Sequence, residues 1–540
     1  MLVHTRTLLS VNPVWPIEIA RPWHAAPMHE QFLPMTSSAL PSSSILSRPG
    51  WWSLLAVLLT MVPLALPSVP PLTDLPAHMA RIMVQLDAGR SADIARWYSF
   101  AWDIIPNLGT DLLAQFLVPV LGLEAAMKAI VLLIVGLQAA GYLLLSREAH
   151  GRVTVSAVFA LPLVYSAPLQ HGFLNFSLAT ALATLSLALW ISPRMTVRPL
   201  LRYGLFVPIG CAIWISHLAG WAILCVMVGC CEVTARWNGW RHVPATLTRG
   251  FASASCLLVP GIAASMHSDA SERLPTHGFF HFDEKVYFLV NVLADRWDVF
   301  DTLSAVLLFA AVIVASVSRA FAIHRGLALA AGALFALFWL LPTSVFGTYY
   351  TDMRVIPSAL ALALIAARPR LSSRQARLLA MAGAAFFLLR LAGTTVSMFL
   401  WDRQIKQDLS VLEGLPPGAQ LVSFSALPCR TFVLQERVRD IHLASFALIR
   451  KRAFANDQFS MPGGQLMTIH NPAAGPFDRD PSSIEIGEPC QGSIPVLKSA
   501  AMIPRTVPYL WIIWHAPRLP VPDWEPIADA GGSVLYQRRR

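Results

Sequence analysis

The sequence predicts an all-α polytopic membrane bundle followed by a small mixed α/β domain. Of its 540 residues, 55% are hydrophobic and only 13% are charged, with a mean hydropathy of +0.55. These values lie far outside the composition of ordinary soluble domains. Apolar runs long enough to cross about 30 Å of hydrocarbon recur from Trp51 to Trp401. The chain is therefore predicted to be an integral membrane protein with about eleven transmembrane helices.

The predicted spans lie near 51–67, 124–146, 153–168, 174–192, 203–217, 219–235, 250–266, 302–318, 326–342, 355–367 and 378–400. Alternate short loops collect arginine, which is typical of the cytoplasmic side. These arginines are Arg147, Arg152, Arg194, Arg198, Arg202, Arg236, Arg241, Arg249, Arg319, Arg325, Arg368, Arg370, Arg374 and Arg377. We therefore expect a cytoplasmic N-terminus and an extracytoplasmic C-terminal domain. The net charge of +10 suits anionic lipid head groups and requires no nucleic acid.

Composition also divides the chain into three predicted parts. Residues 1–50 are rich in proline and serine without periodicity, which indicates a disordered leader. The membrane domain covers 51–401, with a long outer loop at 68–123, and the polar α/β domain covers 402–540. In that last part the patterns predict a helix at 441–454 and strands at 420–425, 431–434, 509–514 and 533–537.

Cysteine usage separates the same regions. Five of the seven cysteines lie in apolar segments, where a small hydrophobic side chain fits, and only Cys429 and Cys490 lie in the polar C-terminal part. If that part is extracytoplasmic, the two can form a disulfide. Two unrelated thiols are the alternative, and the sequence leaves both open.

The first outer loop carries the strongest candidate for chemistry. Asp74, His78, Arg81 and Gln85 follow at helical spacing, so a helix over 75–86 would present them on one face. Its apolar face would lie in the membrane interface or against neighbouring helices. Asp74 could instead serve only as an N-cap before Pro76, while His78 and Arg81 could be ordinary helix-face residues. We predict Asp74, His78 and Arg81 as the catalytic residues.

Further polar side chains are expected on the same side of the membrane. Asp352 and Arg354 follow a tyrosine pair in a short outer loop, and we expect them to pair with Arg81 or Asp74 across a cavity. A solvated turn, or interhelical hydrogen bonds at span ends, would explain the same residues without a site. The predicted substrate-binding set is Asp103, Asn107, His171, Asn175, His217, Asp352 and Arg354.

This arrangement, with an acid in a long first outer loop, resembles the GT-C superfamily of integral-membrane glycosyltransferases. A closer resemblance is to a group of bacterial polytopic proteins, and it lies in Asp74-Leu75-Pro76-Ala77-His78-Met79-Ala80-Arg81, Gly172 to Phe176, Ser216-His217 and Asp352 to Arg354, within residues 50–400. A GT-C-like fold would imply a polyprenyl-phosphate sugar donor and an essential acid in the long first loop. Asp74 would then be the general base, Arg81 and Arg354 would neutralise the leaving phosphate, and Asp352 with His78 would orient groups in the cavity.

The resemblance thus implies transfer of a sugar to a hydroxyl acceptor at the outer face of a bacterial inner membrane. Expected partners are the lipid-linked sugar and membrane lipids. No cofactor is expected, and the single acid at the motif makes a divalent metal doubtful. A transporter or lipid flippase, or a non-catalytic assembly subunit, remains the alternative because polar residues near apolar spans also mark transport paths.

Overall fold

The computed structural model describes residues 49–265, 275–345, 347–433, 437–461, 464–488, 490 and 495–539. Residues 1–48 of the predicted leader lie outside these ranges. The described part is a bundle of helices that continues into a C-terminal region built around a five-stranded sheet. One hydrophobic core runs through both, from Leu64 in the first helix to Trp511 and Leu535 in the sheet.

The helices of the membrane part are α1 (Pro49–Ala65), α2 (Leu75–Asp87), α3 (Ala92–Ala95), α4 (Gly109–Leu121), α5 (Leu123–His150), α6 (Val155–Ala160), α7 (Ala167–His171), α8 (Leu174–Ile191), α9 (Pro193–Thr196), α10 (Pro199–Ser216), α11 (Leu218–Ala235), α12 (Val243–Ala254), α13 (Val259–Ser265), α14 (Phe282–Val290), α15 (Asp298–Val317), α16 (Arg325–Leu340), α17 (Ile356–Ala366) and α18 (Ser373–Leu409). Short strands lie among them: β1 (Tyr98–Phe100), β2 (Phe321–Ile323), β3 (Ser344–Val345), β4 (Thr348–Tyr349) and β5 (Ala367–Pro369).

Six of these helices are long and apolar enough to cross a membrane, which identifies an integral membrane protein. They are α5, α8, α10, α11, α15 and α18, and four shorter apolar helices, α1, α4, α16 and α17, accompany them in the described residues. The predicted spans at 153–168 and 250–266 are each divided into helical pieces by a 3-10 turn. Pro162 and Pro260 lie at these breaks. Proline explains the division because it cannot donate a hydrogen bond to the helix.

The C-terminal region contains the sheet order β10-β11-β9-β6-β8. Strand β6 pairs in parallel with β8 and β9, and the other pairs are antiparallel. Every residue of β6 is buried, as expected for a central strand covered on both faces. The elements are β6 (Leu421–Leu427), α19 (Cys429–Val433), α20 (Ser445–Lys451), β7 (Met467–Ile469), β8 (Ile484–Ile486), α21 (Val496–Met502), β9 (Tyr509–Trp514), β10 (Trp524–Ala530) and β11 (Ser533–Arg538).

The strand predicted at 431–434 is wrong, because α19 occupies residues 429–433. The backbone N–H of Cys429 donates to the Glu488 carboxylate at 2.8 Å, and Cys429 is bonded to Cys490 in a disulfide with the Cα atoms 5.4 Å apart. These non-local ties override the β-propensity of Thr431 and its neighbours. Of the two interpretations that the sequence left open, the structure therefore contains the disulfide.

The first outer loop and the C-terminal region form a single structure around α2. Strand β1 pairs with β7, so Tyr98 lies opposite Ile469. The Tyr98 hydroxyl donates to the Ala455 carbonyl at 3.1 Å and accepts from the Ala455 N–H. Helix α2 is consequently buried on both its apolar and its polar face. Of the two locations predicted for its apolar face, the one against neighbouring protein is observed.

Candidate functional site

The backbone at the start of α2 holds Asp74 against the turn between α7 and α8. The Asp74 N–H donates to the His171 carbonyl at 2.9 Å. Gly172 follows with φ of +87°, and a Cβ there would lie 2.8 Å from the Asp74 nitrogen, so only glycine fits. The Asp74 side chain makes no capping hydrogen bond to α2. Its carboxylate is therefore free to face another group.

That group is an imidazole from the C-terminal region. The Asp74 Oδ1 atom lies 3.7 Å from Nε2 of His442, whose side chain is 2% exposed. Burial raises the pKa of Asp74 to about 6, with His442 and Arg354 opposing the rise and Asp480 adding to it. Asp74 is thus a weakly solvated carboxyl group that titrates close to neutral pH, as general bases commonly do.

Arg354 supplies a positive charge beside Asp74. Its guanidinium carbon lies 4.0 Å from the Phe173 ring centroid, and its side chain contacts His217 Nε2 at 3.2 Å and donates to the Tyr349 carbonyl at 3.2 Å. Among the described residues it forms no ion pair with a carboxylate, and its Nε atom has no hydrogen-bond partner. The charge of Arg354 is therefore available to an anion.

Arg354 also borders a narrow cavity between helices. Most of the lining is apolar, and it comes from α5, the segment from α6 to α8, and the start of α17: Ile134, Val135, Gln138, Tyr142, Leu163, Val164, Ser166, Pro168, Leu169, Phe176, Ser177, Thr180, Pro357 and Ser358. The polar side chains of Gln138, Ser166, Ser177, Thr180 and Ser358 also line the cavity, and its volume of about 30 Å³ is enough for water but not for a lipid chain.

Two arginines from the C-terminal region extend the positive field on the other side of His171. Arg439 is buried and paired with Asp295 at 2.7 Å. Arg437 donates to the Ala294 carbonyl at 2.8 Å, while its Nε atom is buried without a partner. Burial lowers the pKa of His171 well below its usual value, and Arg437, Arg439 and Arg354 lower it further. His171 is therefore neutral in this setting, and Tyr350 stacks on its ring at a centroid distance of 5.4 Å.

The other residues predicted as catalytic, His78 and Arg81, are engaged in internal contacts. Arg81 is paired with Asp111 at 2.9 Å, bonds Gln465 and lies 3.2 Å from Nδ1 of His78. Burial and the Arg81 charge lower the pKa of His78 well below its usual value, although a hydrogen bond to the Gly172 backbone opposes this. With Asp111 neutralising it, Arg81 is better suited to orienting His78 than to binding an anion.

Asn107 and Asn175 lie next to the Arg81–Asp111 pair. Asn175 Nδ2 donates to the Asn107 carbonyl at 2.7 Å and to Asp111 at 3.3 Å, while its Oδ1 accepts from the Thr110 N–H at 2.6 Å. The asparagines thus anchor the start of α4 to α8. Their contacts in the structure are with neighbouring protein groups, and their predicted role in binding substrate stays a prediction.

The contacts of Asp352 and Asp103 are with residues outside the predicted set. Asp352 is fully buried and pairs with Lys285 at 2.7 Å, so the expected pairing of Asp352 with Arg81 or Asp74 is wrong. A fully buried lysine requires a charge partner, which explains why Asp352 turns to Lys285. Asp103 is exposed, and its carboxylate accepts only the neighbouring Ile104 N–H among the contacts of the described residues.

Sequence analysis missed the C-terminal contribution to this site. His442 and Asp480 lie near the Asp74 carboxylate, Arg437 lies near His171, and Asp457 lies near His442. The only local signal was the alternation of charged and apolar residues in Arg437-Val438-Arg439-Asp440-Ile441-His442. No group of three or more histidine, cysteine, aspartate or glutamate side chains suited to a metal ion occurs within the described ranges.

No protein-family model matches the chain, and no curated protein matches it. Two solved structures are similar along most of its length. The crystal structure of ArnT from Cupriavidus metallidurans in the apo state has a TM-score of 0.49 and 14% identity, covering 90% of this chain and 98% of ArnT. The structure of the same protein bound to undecaprenyl phosphate has a TM-score of 0.45 and 15% identity, covering 91% of this chain and 98% of ArnT.

Proposed function

We propose that this protein is a GT-C-like membrane glycosyltransferase that moves a sugar from a polyprenyl-phosphate donor to a hydroxyl acceptor. One observation carries the proposal. The uncapped Asp74 carboxyl, with a pKa of about 6, lies in the field of Arg354, a buried cation that has no carboxylate partner among the described residues. A base and a phosphate-binding cation are the groups that such a transfer needs.

Asp74 is assigned as the general base. The acceptor hydroxyl oxygen attacks the anomeric carbon and its proton passes to the Asp74 carboxylate. The bond between the anomeric carbon and the phosphate oxygen breaks, and its electron pair leaves with the lipid phosphate. Attack from the face opposite the leaving group inverts the configuration of the sugar. At pH 7 a carboxyl with a pKa of about 6 is mostly ionised yet basic enough to accept a proton.

Arg354 and Arg437 are assigned to the lipid phosphate. Each has a buried Nε atom without a partner in the described residues, and both lower the pKa of His171, so both lie near His171. Guanidinium groups bind phosphate oxygens through paired N–H donors, and a low local dielectric strengthens that attraction. Arg437 replaces Arg81 in the role first predicted from sequence, because Asp111 already neutralises Arg81.

The prenyl chain is assigned to the space between α5 and α8, where the small cavity that Arg354 borders must widen to admit it, so that the phosphate meets Arg354. The arginine distribution supports an outer location for Asp74, and we propose that this is the outer side of a bacterial cytoplasmic membrane, where the acceptor would be met. The remaining residues stay predictions: His78 as a catalytic residue, and as substrate-binding residues Asp103, Asn107, His171, Asn175, His217 and Asp352.

Turnover by the purified protein tests the proposal. Protein reconstituted in lipid nanodiscs is mixed with a panel of polyprenyl-phosphate sugars and hydroxyl acceptors, and released lipid phosphate is measured. We expect Asp74→Asn to lower kcat by about 10²- to 10⁴-fold, the usual contribution of a positioned base. Asp93→Asn is the matched control, because Asp93 is an exposed acid of the same loop. A folded Asp74→Asn variant with full turnover would refute the assignment of Asp74 as the base. Wild-type protein that releases no lipid phosphate from any donor would refute the proposed transferase activity.

A further inference from the structure

We propose that His442 of the C-terminal region accepts the proton that Asp74 removes from the acceptor. This inference rests on the function proposed above. His442 does not border the reacting atoms, so it acts through Asp74 as a positioning and proton-accepting residue. The C-terminal region would then complete the reaction site instead of merely flanking it.

The hydrogen bonding of His442 determines which ring nitrogen can take a proton. Its Nδ1 atom lies 2.7 Å from the Asp457 carbonyl oxygen. Because a carbonyl oxygen only accepts, Nδ1 must carry the hydrogen, and Nε2 of the neutral ring is left with a lone pair. Nε2 is the atom that faces Asp74 Oδ1 at 3.7 Å. This separation is slightly longer than a hydrogen bond, as catalytic pairs often are before substrate binds.

The surroundings of His442 favour its charged form. Burial alone would lower the pKa of His442, but the negative charges of Asp480, Asp74 and Asp457, with the hydrogen bond to the Asp457 backbone, raise it overall. His78 also lies near His442, and it is neutral because burial lowers its pKa well below the usual value. An imidazolium formed at this position is therefore stabilised from several sides.

The packing around His442 limits exchange of the proton with solvent. The centroids of the Phe459 and His442 rings lie 4.7 Å apart, and the imidazole is almost completely buried. The Asp457 carboxylate is held by the Ser445 N–H at 2.6 Å and the Ser445 hydroxyl at 2.8 Å, which fixes the backbone that binds Nδ1. The ring is thereby kept in one orientation toward Asp74.

The proton balance of the step is simple. The acceptor hydroxyl loses its proton to the Asp74 carboxylate as the glycosidic bond forms and the lipid phosphate leaves. The Asp74 carboxyl then gives this proton to Nε2 of His442, which restores the carboxylate and produces the imidazolium. After the products leave, the imidazolium returns the proton to Asp74, whose side chain is 14% exposed and releases it to water, and the neutral ring returns. No oxidant, reductant or further reactant is required.

The pH dependence of turnover distinguishes this role from simple packing. His442 lowers the pKa of Asp74 and Asp480 raises it. We therefore expect His442→Gln to move the acid limb of the kcat/KM profile to higher pH, and Asp480→Asn to move it to lower pH. His442→Gln should also lower kcat by about 10- to 100-fold with little change in KM for the donor, because proton transfer and not binding is impaired.

His470→Gln is the matched control. His470 is an exposed histidine of the same region whose Nε2 contacts the Ser99 hydroxyl at 2.8 Å, and its variant should keep the wild-type profile. If His442→Gln folds and leaves both kcat and the acid limb unmoved while wild type is active, the relay is refuted and the transferase stands.

A second measurement does not depend on turnover. Because the pKa of His442 is raised on folding, its stabilising contribution is complete below its unfolded pKa and is lost as pH rises through the folded pKa. The difference in Tm between wild type and His442→Gln should therefore shrink as pH rises. A constant difference would contradict the coupling. A shrinking difference in a protein that releases no lipid phosphate from any donor would refute both the relay and the proposed function.

Discussion

Asp111 neutralises the buried Arg81, and changing Asp111 to asparagine should destabilise the protein by an amount that the contacts define. The two Asp111 oxygens accept from Arg81 Nη2 at 2.9 and 3.0 Å, and one also accepts from Asn175 at 3.3 Å. The Asp111 side chain is 2% exposed and that of Arg81 is 4% exposed, so water cannot replace the lost charge. Removing one partner of such a buried pair costs about 3–5 kcal/mol.

The expected shift in Tm follows from the size of the chain. Unfolding 540 residues at about 2.1 cal/mol/K each gives an entropy of about 1.1 kcal/mol/K, so 3–5 kcal/mol corresponds to about 3–4 °C. The assay is the amount of monodisperse protein that survives heating in detergent, measured by size-exclusion chromatography. Asp103→Asn is the stability control, because the exposed Asp103 carboxylate has no charged partner within the described residues.

A double variant tests whether the loss of stability arises from the unpaired charge or from lost packing. Arg81→Met with Asp111→Leu removes both charges and leaves neither uncompensated, so it should recover most of the stability that Asp111→Asn loses. The reasoning is wrong if Asp111→Asn is as stable as Asp103→Asn. It is also wrong if the double variant is less stable than Asp111→Asn, since the loss would then arise from packing.

Three further predictions concern the same region and its disulfide. Because the pKa of Asp74 is raised to about 6 and the base must be ionised, kcat/KM should fall about tenfold per pH unit below 6; a profile that stays level to about pH 4 would contradict this. Gly172→Ala should lower turnover at least about tenfold by displacing the Asp74 backbone, whereas Gly229→Ala, whose added Cβ meets nothing within 4 Å, should be neutral in the same assay. Replacing Cys429 and Cys490 by serine removes a disulfide with a sequence separation of 61, which stabilises the fold by about 4 kcal/mol in the chain-entropy model. The Tm measured in a heating series should therefore fall by about 4 °C, and an unchanged Tm would contradict this.

Local patterns predicted the elements that depend on local forces. The helix predicted over 75–86 is observed as α2, Leu75–Asp87, because its apolar residues repeat at helical spacing and Pro76 fixes its first turn. The strands predicted at 509–514 and 533–537 are present as β9 and β11. Apolar runs also located the long helices, but they did not reveal that Pro162 and Pro260 divide two of them.

Contacts between distant segments were beyond the reach of those patterns. Asp74 and His442 are separated by most of the chain, and each is an isolated polar residue in its own segment. The pairing of Asp352 with Lys285 likewise depends on how α14 packs, since a buried lysine selects the nearest carboxylate whatever its distance along the sequence. Sequence therefore identified Asp74 as a candidate but could not identify its neighbours.

The pairing of β1 with β7 and the bond from Tyr98 to Ala455 have a consequence for biosynthesis. The segment that carries Asp74 leaves the ribosome early. The residues that cover this segment, among them Ala455 and β7, are made only after nearly all the helices have been inserted. During that interval α2 lacks the surface that buries it, and Asp74 lacks its imidazole neighbour. A nascent or truncated chain should thus expose this helix to proteases and chaperones, which would allow a cell to remove incomplete copies before they meet substrate.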